Sequence, residues 1–159
     1  MTQNVSYSGP KIALYQPDIP QNTAAIIRLG ACLNFNIHII EPCGFNLNDT
    51  RFKRVVMDYK NLAKIFRYGD FDEFKKKYKK SRIVLMTTKA KKLYHKFKFK
   101  KDDMLLFGRE SAGVPDNLHK SIKDKIKIPM NKKTRSLNVA MSVAIIASEA
   151  LRQNNLLML

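Results

Sequence analysis

The chain is poor in acids and in cysteine. Thirteen Asp and Glu stand against thirty Lys and Arg, a formal net charge of +17 over 159 residues. Only Cys32 and Cys43 are present. They are not at metal-ligand spacing and make no disulfide framework, so a reduced, cytoplasmic protein is expected. No apolar run approaches the ~18 residues needed to span a bilayer. Residues 1–11 lack a charged segment followed by an apolar one, which argues against a secretory signal. Also missing are a G-x-G-x-x-G after the first strand, a Walker A loop and an H-E-x-x-H pair. The three histidines lie far apart in sequence. A metal site, a nucleotide-phosphate cradle and a nucleophilic hydrolase therefore gain no support, and His38, inside an apolar strand, reads as a packed core residue.

What is present is enough apolar content, 45%, to build one core. That content separates the chain from disordered basic tails. Its length fits a single domain over residues 1–159. The excess positive charge attracts polyanions, although a lysine-rich solvated surface accounts for the magnitude equally well. Clustering is the sharper signal: residues 75–101 hold thirteen Lys or Arg and no acid, with Tyr78, Tyr94, Phe97 and Phe99 interleaved.

Short apolar runs alternate with helical patterns. Strands are expected at residues 11–15, 36–41, 63–68, 82–87, 103–107 and 125–128. Helices are expected after Asn22 or Thr23 as cap, after Asp49 through Tyr59, at 71–78 after Asp70, at 115–121 and at 136–153. The stretch 88–101 reads as the most flexible. The alternation predicts an α/β fold with a mostly parallel sheet and helices on both faces, and the continuous apolar strands agree with burial on both sides. The last helix is apolar almost all round, so it belongs in a core or against a second subunit, and a homodimer is expected.

Three loops follow predicted strands, where open α/β sheets bind ligands: residues 16–23 leading to Arg28, GRESAGVP at 108–115 and PMNKKTRSLN at 129–138. Taken together with IIEPCGF at 39–45 and MDY at 57–59, they are similar to the SPOUT-superfamily RNA 2′-O-ribose methyltransferases. Within that superfamily the chain looks like the minimal tRNA (cytidine/uridine-34-2′-O)-methyltransferases, over about residues 11–153.

The resemblance implies a C-terminal trefoil knot, S-adenosylmethionine as methyl donor with no metal, tRNA as substrate, a homodimer and no membrane association. It places donor contacts on Met86, Gly108, Ile128 and Ser136, with Thr87, Glu110, Leu137 and Asn138 beside them. Asn22, Arg28 and Lys89 are its candidate RNA contacts, and Arg28 is its catalytic candidate. Arg28 sits about two turns into the first helix, from which its head is expected to reach the cleft between the loops. Glu110 is expected to shape its loop or touch Asn22 rather than carry protons. The chain departs from the family pattern at Ala24-Ala25, where Gly-Asn is common, and at Ser148, where Tyr is common. Action on another RNA such as ribosomal RNA, or RNA binding without catalysis, stays open at this point.

Overall fold

The computed structural model describes residues 9–56, 58–59 and 62–157; Met57 of the MDY motif lies outside them. Seven strands form one sheet in the order β3-β2-β1-β6-β4-β7-β5. They are β1 (Lys11–Tyr15), β2 (Asn36–Ile40), β3 (Lys64–Tyr68), β4 (Ile83–Met86), β5 (Lys92–Leu93), β6 (Met104–Phe107) and β7 (Asp124–Lys127). Every pairing among them is parallel.

Both faces are covered, as continuous apolar strands require. Side chains alternate along each strand. Ile12 and Leu14 join Ile37, Ile39, Leu105 and Phe107 in one cluster, under helices α1 (Pro20–Leu33) and α5 (Val139–Gln153). Ala13 and Tyr15 face the other side with Ile40, Leu106 and Phe74, under α3 (Phe71–Lys77) and α4 (Asp116–Ser121). A smaller cluster of Ala24, Ile27, Val56 and Ala63 seats α2 (Thr50–Val56) on α1.

Local signals set several boundaries. Asp49 accepts the N–H of Arg51 at 2.7 Å and opens α2, and Asp70 accepts that of Glu73 at 2.7 Å and opens α3. Three expectations are corrected. Helix α1 starts at Pro20 with Ile19 as its cap residue, not at Asn22 or Thr23, because proline's fixed φ suits the first helical position. Helix α5 starts at Val139, not Ser136, because the Asn138 side chain accepts the N–H groups of Ala140 and Met141 and caps it there. The stretch 88–101 is anchored rather than loose. It contains β5 and a 3-10 turn at Tyr94–Lys96, and Phe97 and Phe99 are buried. The Gln153 side chain donates to the Phe97 carbonyl and accepts the Phe99 N–H, both at 2.9 Å.

The aromatics of the lysine-rich stretch are thus core residues. Tyr78 packs against His38, Phe74 and Tyr68. His38 itself is 1% exposed, stacks on Phe66 at 5.0 Å, and its Nδ1 meets the Tyr68 hydroxyl at 2.8 Å. It is the packed core histidine its strand context predicts. Helix α5 is not enclosed all round: Val143, Ile146, Ala147, Ala150 and Leu151 are buried, while Met141 stays 60% exposed.

Candidate active site

A cleft of about 460 Å³ opens at the carboxyl ends of the central strands. Its walls come from the end of β4 (Met86–Lys89), the β6–α4 loop (Gly108–Val114), the β7–α5 connection (Ile128, Met130, Ser136–Asn138) and the start of α1 (Ile19, Asn22). All eight residues singled out for the donor line it: Met86, Thr87, Gly108, Glu110, Ile128, Ser136, Leu137 and Asn138. Asn22 and Lys89 line it as well.

One amide ties three loops together. Asn22 Nδ2 donates to Glu110 Oε1 at 3.2 Å, and Asn22 Oδ1 accepts from Asn138 Nδ2 at 2.8 Å. Asn138 at the same time caps α5. Residues 88 and 116 positions apart in sequence are thereby held within hydrogen-bonding distance. Such links fix the relative placement of the walls, which is what a pre-formed ligand site needs.

The Glu110 loop is braced reciprocally. The Asp18 N–H donates to Glu110 Oε2 at 2.9 Å, and the Glu110 N–H donates to Asp18 Oδ1 at 3.1 Å. Ser111 Oγ donates to Asp18 Oδ2, and Arg109 Nε lies 3.6 Å from that oxygen. The Asp18 carboxyl is held down to about 2, first by its contact with the Glu110 side chain and next by Ser111 and the Glu110 N–H. Burial first, and then Asp18, pushes Glu110 above the usual carboxylate range. Glu110 therefore does what its loop position suggests: it shapes the loop and touches Asn22.

Gly108 has a steric reason. A Cβ there would lie 2.6 Å from the Gly113 backbone, because the loop folds back with Gly113 at φ 66° and mutual Arg109–Gly113 backbone bonds of 3.1 and 2.8 Å. The 39–45 segment supports the same corner: the Gly44 N–H donates to the Pro17 carbonyl at 2.9 Å.

Arg28 does not line this cleft. It lies six residues beyond Asn22, which is about 9 Å along the helix and roughly 240° round it at the usual pitch. Its exposed guanidinium instead stands over the Tyr59 ring, 5.0 Å from the centroid. The Asn22–Glu110 contact is the one expected from sequence, whereas the Asn22–Asn138 link and the Tyr59 platform were not readable there. MDY supplied the tyrosine, but nothing in the spacing places it against α1.

The arrangement accommodates a cofactor-sized organic ligand. Leu85, Met86, Ile128, Leu137 and Val139 offer apolar wall, and Thr88, Ser136 and Ser142 add hydroxyl groups to the lining. Lys89, with an ammonium 4.0 Å from Asp116, stands on the lining as an exposed cation.

The model of the SpoU rRNA Methylase family matches residues 10–148. A tRNA (cytidine(34)-2'-O)-methyltransferase of Beijerinckia indica is 46% identical over 144 residues, 89% of this chain and 90% of that protein. The enzyme of the same name from Escherichia coli is 37% identical over 144 residues, 89% of this chain and 92% of that protein. A solved structure concerned with the 2-OH methylation of C/U34 on tRNA superposes with a TM-score of 0.88 at 32% identity, covering 94% of this chain and 99% of that one.

Proposed function

The chain belongs to the SpoU rRNA Methylase family, and on that premise we propose that it is a cytoplasmic enzyme that methylates the ribose 2′-oxygen of nucleotide 34, the wobble position, in tRNA. The observation that carries this reading is the cleft whose three loops meet at Asn22, in a chain 46% identical to a tRNA (cytidine(34)-2'-O)-methyltransferase over nearly the full length of both.

S-adenosylmethionine, when bound, supplies an electrophilic methyl group on a sulfonium sulfur. The cleft suits it. Its volume lies in the range of small-molecule sites, and its lining combines apolar side chains with a few polar ones. Met86, Thr87, Gly108, Ile128, Ser136 and Leu137 would hold the donor, with Glu110 and Asn138 keeping the loops in place. Little covalent work falls to the protein. Holding the 2′-oxygen in line can supply ~7–11 kcal/mol of the barrier.

Arg28 grips the RNA rather than the donor. A guanidinium makes no base, but its planar fork suits a phosphate of the bound RNA. The Tyr59 ring lies under it, outside the cleft.

The reading includes a trefoil knot and a homodimer. Ile126 of β7 is flanked by Met86 on one side and Lys92 on the other. The short link 87–91 therefore arches over the end of β7, just where the chain leaves towards α5, and this supports a threaded C-terminus. Leu137 and Met141, 41% and 60% exposed at the start of α5, support a second subunit seated there. The test is incubation with methyl-labelled donor and, in parallel, total tRNA or ribosomal RNA. Label is expected in tRNA and absent from ribosomal RNA, and the reverse distribution would overturn the tRNA assignment.

A further inference from the structure

The lysine-rich stretch is split in sequence by β4 and the link that follows it, but the fold rejoins part of it. Strands β4 and β6 begin side by side: Ile83 pairs with Met104, and the Met104 N–H donates to the Arg82 carbonyl at 2.9 Å. Asp103, 1% exposed, is the clasp. It takes Arg82 Nε at 2.8 Å and Nη2 at 2.7 Å, and the Lys100 N–H at 2.8 Å. Arg82 Nη2 also donates to the Lys98 carbonyl at 2.9 Å, with the guanidinium over the Phe97 ring at 4.8 Å. The 78–82 and 97–103 turns are thus locked against each other. Strand β7 starts alongside, since Val84 pairs with Asp124, and brings Lys123 to the same end.

The result is one exposed cationic surface: Lys79, Lys80, Lys98, Lys100, Lys101 and Lys123. None of these six ammonium groups has an ion-pair partner among the described residues. The acids nearby are already engaged or set back: Asp103 holds Arg82, Asp102 lies 3.8 Å from Lys11, and Asp124 is half-buried. This surface sits at the amino ends of the strands, whereas the donor cleft sits at the carboxyl ends. Five residues of extended chain from Asp103 to Gly108 separate the two by about 17 Å.

We propose that this amino-end patch binds the phosphate backbone of tRNA outside the anticodon arm. Six uncompensated ammonium groups on locked turns, with Phe97 and Phe99 buried rather than offered to bases, suit a sequence-independent run of phosphates. The patch rests on the tRNA reading above but acts through a different part of the molecule, well away from the methylated ribose.

The test compares a full-length tRNA with its isolated anticodon stem-loop, using the intact protein and the variant Lys79→Gln/Lys80→Gln/Lys100→Gln/Lys101→Gln. All four positions are exposed, so the fold is expected to stand, and circular dichroism checks it. The parent is expected to bind full-length tRNA at least about tenfold more tightly than the stem-loop, with a steeper salt dependence. The variant is expected to lose that advantage. Its slope of log affinity against log salt should fall by about one per lost phosphate contact, while stem-loop affinity is unchanged. Full-length affinity that survives in the variant overturns the proposal. So does an equal loss for the stem-loop. A parent that binds tRNA but never methylates it would instead refute the enzymatic reading and leave this comparison valid.

Discussion

Replacing Asn22 tests whether the three-loop junction holds the site together. Asn22→Ala removes a bond to the Glu110 carboxylate, 3.2 Å, and one to the Asn138 amide, 2.8 Å. Bonds to charged groups contribute about 1.5–3 kcal/mol and neutral ones about 0.5–1.5, so a total loss of about 2–4.5 kcal/mol is expected, shared between stability and ligand binding. Asn22→Asp should be worse than Asn22→Ala, because it places a third carboxylate against Glu110 and Asp18 and removes the donor. Like-charge crowding raises the folded-state pKa of the introduced carboxyl. Its penalty therefore shrinks as pH falls, and relative to the parent the variant should recover towards pH 5. Urea denaturation measures the stability share, and calorimetric titration with S-adenosylhomocysteine measures the binding share. Refutation is clear-cut: an Asn22→Ala protein within about 0.5 kcal/mol of the parent in both, with Asn22→Asp no worse, would mean the junction holds nothing.

Other outcomes follow from the same geometry. Burial first, then Lys11 and Lys77, depress the His38 imidazole to about 3. The unfolded chain then takes up a proton that the folded one refuses, so stability is complete above about pH 6.5 and falls by up to ~1.4 kcal/mol per unit below it, down towards pH 3. His38→Phe should flatten that slope in urea melts between pH 7 and 5, and an unchanged slope would assign it to other groups. Arg28→Ala should cost about 1.5–3 kcal/mol in methyl transfer at limiting tRNA, from loss of one charge-assisted bond to phosphate, with S-adenosylhomocysteine affinity intact; Arg28→Lys should rescue poorly. Activity within a few-fold of the parent would return Arg28 to an ordinary solvated position. Ala144→Glu, on the half-buried flank of α5, should convert the expected dimer to monomer in light scattering and lower activity with it; a parent that is already monomeric at micromolar concentration removes the dimer from the account.

The strands were legible in sequence because a sheet covered on both faces demands continuous apolar runs, and KIALY, NIHII and MLLF supply them. Strand β5, two residues long inside KKLYHK, carries no such signal and exists only because β7 offers it a partner. The loops lining the cleft were legible through their glycines and their order. Of their mutual placement only the Asn22–Glu110 contact was, since the closure also depends on Asn22 meeting Asn138 across 116 residues. Asn22 was readable as a helix cap. Pro20 took that boundary, which left the amide free to face the cleft. Distance along the helix suggests that Arg28 reaches the cleft, but the helical phase turns it away towards Tyr59. Residues 88–101 looked loose because lysines outnumber everything else, yet Phe97 and Phe99 pin the segment beneath α5.

The central claim is methyl transfer to one oxygen of one nucleotide. The most direct measurement is nuclease digestion and mass spectrometry of tRNA incubated with the protein and S-adenosylmethionine, run beside the same tRNA carrying 2′-deoxyribose at position 34. The account predicts a single methyl group on the ribose of nucleotide 34 in the first and none in the second. A methyl group on a base, at another position, or on the 2′-deoxy tRNA would contradict it.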